Sequence, residues 1–176
     1  MAKSSIEKTN VMRLLDQKKV PYTPHTYPHG DDAVDGVTVA QMTGMDPAKV
    51  FKTLVARGAS KTPYVFVIPV ACELDLKKAA KAVGEKSVAM LHVSELTPLT
   101  GYVRGGCSPV GMKKQFHTVF ASQALAQETI LVSAGKIGYQ VETAPQALIA
   151  LVRATTADLT IESLSLIHIS EPTRRS

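Results

Sequence analysis

A stretch of main chain that cannot pack through its side chains lies in the middle of this sequence: Thr100-Gly101-Tyr102-Val103-Arg104-Gly105-Gly106-Cys107-Ser108-Pro109-Val110-Gly111-Met112-Lys113-Lys114. Four glycines and one proline fall between positions 101 and 111, and two lysines follow. Glycine admits positive φ and close backbone approach, whereas proline fixes φ and removes a donor. The segment is therefore a shaped backbone surface rather than an element that buries a side-chain face. Set beside cations, it suits a small acyl group attached to an anionic carrier. Taken alone, the same composition also describes ordinary turns.

Hydrophobic periodicity organises the rest. Residues 4 to 18 read as an amphipathic helix, with Ser4-Ser5-Ile6-Glu7 fitting a capping box and Ile6, Val11, Leu14 and Leu15 near one face. Val20 to Tyr27 looks extended, and Pro21 and Pro24 argue for a sheet edge. Residues 29 to 36 are polar and read as a loop. A short helix over 38 to 44 ends at its glycine, and Asp46-Pro47 is a helix-start signal. Strands follow at 51 to 57 and 64 to 70, the second almost wholly apolar. Residues 74 to 83 form a helix stopped at Gly84, 86 to 92 a strand, and 93 to 100 a short helix. Beyond the glycine segment, strands are expected near 118 to 120, 129 to 133 and 139 to 142, with Gly135 and Gly138 in the connecting turn. Thr143 is expected to cap a last helix reaching Arg153.

At 176 residues the chain suffices for one well-buried domain but not for two ordinary ones. The expected class is α/β, in the α+β sense: a single domain over 1–160, built on a curved mixed β-sheet flanked by short helices. No βαβ repeat, Rossmann fingerprint or internal repeat is found. Residues 161–176 do not continue the pattern. The run from Ser165 to Ser176 resembles translated adapter or vector sequence and is set aside from the fold.

Cys72 and Cys107 have no CxxC spacing, so neither a disulfide scaffold nor a zinc site is expected. The five histidines, at 25, 29, 92, 117 and 168, lack metal-ligand spacing, and no metal or cofactor is expected. No run of eighteen apolar residues and no signal-peptide core occur, so the expected location is the cytoplasm, without membrane attachment. A net charge of +5 attracts polyanions, and lysines cluster at 77, 78, 81, 113 and 114. That clustering fits solvated faces as well as a phosphate-binding surface. There is no RNP motif, zinc finger or other DNA-binding signature, so any RNA contact is expected at phosphates of a short single-stranded end.

Four ordered motifs narrow the field. Besides the glycine segment they are Pro24-His25-Thr26-Tyr27, the run Asp46 to Val55, and Glu142 to Ala150 following Ser133-Ala134-Gly135-Lys136. The helix start Leu74 to Lys81 fits as well. Over roughly residues 6 to 160 the sequence resembles the bacterial Cys-tRNA(Pro)/Cys-tRNA(Cys) deacylases of the YbaK/EbsC family, relatives of the editing domain of prolyl-tRNA synthetase. The resemblance implies that fold, and a trans-editing aminoacyl-tRNA deacylase that removes cysteine mischarged onto tRNA(Pro). It implies a 3′ aminoacyl-tRNA end as substrate and prolyl-tRNA synthetase as the partner that supplies tRNA identity. An Ala-tRNA(Pro) deacylase of the same superfamily, or a non-catalytic tRNA- or synthetase-binding module, remain the alternatives.

The resemblance also assigns residues. Lys52 sits in an apolar strand, where a lone lysine is ordinarily an outward-facing charge; the family places it in the active site, near ribose hydroxyls or the terminal phosphate. Tyr27 would position the ester, and Gly105 would offer a carbonyl in the pocket wall. Thr53, Gly106, Ser108, Pro109, Gly135, Lys136 and Gln140 are the expected substrate contacts. Ser108 has no Gly-x-Ser-x-Gly elbow and reads as a hydroxyl that fixes the loop or the substrate. Cys107 reads as a small hydrophobe. With no evident protein nucleophile, the family implies that the bound cysteine's own sulfur attacks its ester carbonyl. A thiol of pKa ~8.5 is intrinsically nucleophilic, and an aligned intramolecular attack gains an effective molarity of roughly 10⁵ M or more. Two departures bear on the substrate contacts. The usual Ser-Gly-Gly-Lys-Arg-Gly turn is here Ser133-Ala134-Gly135-Lys136-Ile137-Gly138, and an acidic residue sometimes found after it is Gln140.

Overall fold

The computed structural model describes residues 8–28 and 36–161. Helix α1 runs over Asn10–Gln17 and turns Val11, Met12 and Leu15 inward. Its N-cap is Thr9, whose hydroxyl accepts from the Met12 amide at 3.3 Å. The helix thus begins later than the sequence suggests, because threonine satisfies the first-turn donors; the Ser4 to Glu7 box lies outside the described residues. Strand β1, Thr23–Thr26, is an edge strand as expected. Helix α2 covers Gly36–Thr43, and Gly44 follows at φ +72°. Asp46 caps a single 3₁₀ turn, Pro47–Lys49, accepting from the Ala48 amide at 2.9 Å. The polar stretch 29 to 35 lies outside the described residues.

Strands β2 (Phe51–Gly58) and β3 (Pro63–Pro69) pair antiparallel along their length. They are followed by β4 (Glu73–Leu74), α3 (Leu76–Val83), β5 (Val88–Met90) and α4 (Val93–Thr100). Asp75 caps α3 through the amides of Lys77 and Lys78, and Gly84 ends it in the left-handed region. Leu74 therefore belongs to a short strand rather than to the helix. Beyond the glycine segment come β6 (His117–Ala121), β7 (Ile130–Lys136), β8 (Tyr139–Thr143), α5 (Pro145–Val152), β9 (Thr155–Ala157) and β10 (Thr160–Ile161). Ala144, not Thr143, is the N-cap of α5. The Thr143 hydroxyl instead donates to the Pro21 carbonyl at 2.7 Å and ties the chain before β1 to β8. Ile161, assigned from sequence to the tail, pairs with Glu73; the remainder of that tail lies outside the described residues.

The expected mixed α/β domain forms, but its strands divide among three sheets. One has five strands in the order β5-β2-β3-β6-β9, one has three in the order β1-β8-β7, and β10 pairs with β4. A parallel bridge, Val50 to Leu131, links the approach to β2 with β7. The β3–β6 and β6–β9 ladders are parallel, which no βαβ signature in the sequence announced.

Alternation along β3 explains its unbroken apolar run. Val65 and Val67 enter a core shared with Phe51, Val55, Phe120, Val132, Val141 and α1. Phe66 and Ile68 enter a second core, with Val119, Ala121 and the alanines 79 and 80 of α3. A strand covered on both faces has no polar side to display. Each such side chain contributes about 1.5–3 kcal/mol relative to exposure. The first core fixes the three-stranded sheet against the five-stranded one. Among the described residues, no helix is long and apolar enough to cross a membrane.

Candidate active site

A cavity of about 910 Å³ opens where the two larger sheets meet. Its floor is Val50 and the start of β2, from Phe51 to Val55, including Lys52 and Thr53. Tyr27 enters from the end of β1, Ser133 and Gln140 from β7 and β8, and Ile137 from the turn between them. Gly36 and Val39 of α2 contribute one side; Met90, Leu91, Val93 and Leu96, around β5 and α4, contribute another. The glycine segment closes the wall with Val103, Arg104, Gly105 and Cys107.

That segment is held as a fixed backbone surface. The Tyr102 amide donates to the Thr100 hydroxyl at 3.0 Å, and the Thr97 hydroxyl donates to the Tyr102 carbonyl at 2.8 Å. The Tyr102 hydroxyl bonds the Val110 carbonyl, and the Val110 amide donates to the Ser108 hydroxyl at 3.2 Å. At Gly106 an added Cβ would lie 3.1 Å from the Ile137 nitrogen and 3.3 Å from two Lys136 backbone atoms. Glycine lets the loop rest closely on the β7–β8 turn, where a larger residue would make the turn give. At Gly135, φ is +92° and a Cβ would lie 3.0 Å from the Tyr102 ring and from Val11. This glycine falls in the irregular end of β7, between Ser133 and Lys136, rather than in the turn proper.

The expected site residues therefore separate into two groups. Lys52, Thr53, Tyr27, Gly105 and Gln140 meet around one cavity, although they lie far apart in sequence. Gly106, Ser108, Pro109, Gly135 and Lys136 are not in its wall. Ser108 is fully buried and braces the loop; Lys136 is exposed, its Nζ 5.0 Å from the centroid of the Tyr139 ring. Arg104 and the apolar side from Met90 to Leu96 line the cavity although no residue-level signal in the sequence marked them, and Cys107, read from sequence as a small hydrophobe, lines it too. Apolar wall residues carry no chemical signature.

Lys52 and Arg104 are the only charged side chains among the described residues in this wall, and no described carboxylate is present there. The charge on the described wall is therefore positive, suited to a phosphate and to a developing oxyanion. Burial pushes the Cys107 thiol up to about 12, so it stays protonated at neutral pH. Burial, then the neighbouring Cys107, push the Tyr102 hydroxyl up to about 12. Thr53 and Gln140, residues of the wall, each carry a fully buried oxygen, Oγ1 and Oε1, with no hydrogen-bond partner among the described residues. Among the described residues, no three His, Cys, Asp or Glu side chains group as they would around a metal ion.

Outside the cavity a polar cluster fastens β1 to β8. Glu142 accepts from Thr129 at 2.6 Å and from Lys49 at 3.2 Å, and its other oxygen meets His25 Nε2 at 2.8 Å. The Thr129 hydroxyl, then His25 and Lys49, hold its carboxyl down at about 2, outweighing the opposing effect of burial.

A domain with a glycine-walled cavity at the junction of its two larger sheets agrees with the family comparison. Residues 31–151 match the model of the aminoacyl-tRNA editing domain, and the chain belongs to that family. It is 48% identical over 158 residues to an Enterococcus faecalis (strain ATCC 700802 / V583) protein, provisionally named Cys-tRNA(Pro)/Cys-tRNA(Cys) deacylase EbsC. That alignment covers 90% of this chain and 96% of the relative. Among solved structures, hypothetical protein APE2540 superposes with a TM-score of 0.78 at 21% identity, covering 87% of this chain and all of the other. A protein provisionally assigned as a trans-editing enzyme for prolyl tRNA synthetase superposes with a TM-score of 0.74 at 23% identity, covering 88% and 99%. These two share the fold.

Proposed function

We propose that this protein is a trans-editing aminoacyl-tRNA deacylase that releases cysteine from mischarged tRNA(Pro). The observation that carries the reading is the meeting of Lys52, Tyr27 and the Gly105 main chain around one cavity whose charged side chains, among the described residues, are both cationic. Cys107 is buried and protonated, and Ser108 is sealed within its loop. The 48% identical relative points to the same chemistry.

The substrate then supplies the nucleophile. The sulfur of the bound cysteinyl group attacks the ester carbonyl carbon, forming a C–S bond and a tetrahedral oxyanion. The oxyanion collapses, the bond to the ribose 3′ oxygen breaks, and the thiol proton ends on that oxygen. A four-membered thiolactone is left, which water opens to free cysteine. The protein's share is orientation and charge: Tyr27 and Gly105 position the acyl group, and the Lys52 ammonium offsets the negative charge as it develops. A glycine wall favours a small side chain, although one methylene discriminates by only about 1–3 kcal/mol. The substrate thiol therefore carries the selectivity that shape cannot. Prolyl-tRNA synthetase, acting beside the protein in the cytoplasm, provides tRNA identity.

Purified protein incubated with Cys-tRNA(Pro), Ala-tRNA(Pro) and Ser-tRNA(Pro) tests this. Rapid release of cysteine, with slow release of serine and alanine, is expected. Equal rates on the alanyl ester point to the alanyl-specific alternative. Binding without release under saturating protein makes the domain a non-catalytic module.

A further inference from the structure

Three large apolar side chains stand exposed at one place, the lip of the cavity: Met90 at 45%, Val93 at 61% and Val103 at 49%. Exposed apolar residues scattered singly need no explanation, whereas a group of them around one concave site marks an interaction surface. The half-buried Leu91 and Leu96 continue the same wall and pack on the core behind it. The lining residues from Met90 to Val103 are thus all apolar, and Arg104 follows directly. The lip is also anchored. Arg57 meets the Glu95 carboxylate at 2.8 Å and ties α4 to β2, while the Thr97–Tyr102 bond ties α4 to the glycine segment.

Two properties of the cavity limit what this lip can hold. At about 910 Å³ it has the size of sites that enclose a whole drug-sized ligand, so a cysteinyl group alone leaves most of it empty. Its charged side chains among the described residues, Lys52 and Arg104, are both cationic, which favours a ligand that joins an anionic part to an apolar one. A nucleotide is such a ligand: its phosphate suits the cations, and the faces of its base are uncharged and gain from cover. The Met90 thioether adds a favourable contact with an aromatic ring. We propose that the lip formed by Met90, Val93 and Val103 binds the nucleobase of the terminal nucleotide, the one that carries the aminoacyl ester. The lip is then a positioning surface, because a base held there fixes where its ribose and the ester lie. This role rests on the deacylase reading, but nucleotide binding is measured without turnover.

The probes are adenosine 5′-monophosphate and ribose 5-phosphate, which differ only in the base, titrated against the full chain by NMR. The parent should bind the nucleotide about fivefold or more tightly than the sugar phosphate, the lower end of what one covered base contributes. Saturating the protein's methyl groups should transfer to the base protons H2 and H8 more strongly than to the ribose protons. The double variant Met90→Gln, Val93→Asn should bind the two probes within about twofold of each other, through loss of nucleotide affinity alone. Val93→Asn by itself, at the most exposed of the three positions, should lose affinity in the same direction, while Leu125→Gln, outside the cavity wall, should not. Equal binding of the two probes by the parent, or binding of neither, overturns the assignment and leaves the lip to a protein partner. An undiminished preference in the double variant overturns it too, as does an equal loss of both probes. A parent that prefers the nucleotide but releases no cysteine from Cys-tRNA(Pro) sinks the deacylase reading alone.

Discussion

Lys52 shows how a residue can be misjudged from its strand alone. Its neighbours on β2 are apolar, and by burial statistics a lysine there faces water; the ordered motifs indicated otherwise, and the structure places it in the cavity wall. Lys52→Ala should lower kcat/KM for Cys-tRNA(Pro) by roughly 10²–10³-fold, the cost of removing one oxyanion donor. Single-turnover kinetics checks this, and an unimpaired variant would remove Lys52 from the mechanism. Gly106 is legible for a different reason. Sequence marked it as a substrate contact, but its hydrogen atom faces the Lys136–Ile137 backbone instead. Gly106→Ala crowds the β7–β8 turn, which must give by a few tenths of an ångström, so a loss of about 1–3 kcal/mol in denaturant unfolding is expected, together with reduced turnover. Ser108 and Pro109 were drawn toward the substrate by the company they keep in the motif. A motif gives order along the chain, not which way a buried hydroxyl points.

Among elements, the long strands and the helix ends were readable because their causes are local. Asp75 before α3, Gly84 after it, and the apolar run of β3 each act within a few residues. The division into separate sheets was not readable, since choosing a ladder partner depends on contacts far along the chain, as between Ala56 and Met90 or Thr23 and Glu142. Strands β4, β9 and β10, of two or three residues, carry no period of their own. The fastening of β1 to β8 yields a prediction at this scale. The Glu142 carboxyl sits below its ordinary 4.5, at about 2, so its ionised form stabilises the folded state. That contribution is complete above 4.5 and is lost as pH falls toward 2. Thermal melting across that interval should decline more steeply in the parent than in Glu142→Gln, which at neutral pH should already be less stable. Parallel melting curves for the two would show that the cluster does not tie the strands.

For the whole molecule, the net charge of +5 does not by itself locate a nucleic-acid surface. Several of its lysines are engaged within the fold: Lys78 with Asp158 and the Thr160 carbonyl, Lys113 with the Pro98 carbonyl, Lys49 with Glu142. Arg104, exposed in the cavity wall, is the better candidate for a phosphate of the acceptor end. Arg104→Ala should raise KM for aminoacyl-tRNA more than it lowers kcat, and should reduce the slope of log affinity against log salt by about 0.7. A filter-binding titration across salt concentrations reads that slope directly; an unchanged slope places the phosphate elsewhere.

Tyr27 and Gln140 stand at opposite ends of the domain's sequence, yet they share one chamber. While the polypeptide emerges from a ribosome, the chamber has a floor but lacks its far side until β8 has cleared the exit. A nascent product that stops short of β8 lacks that side of the chamber. A protein that guards translation thus waits for its own β8 before its chamber is closed.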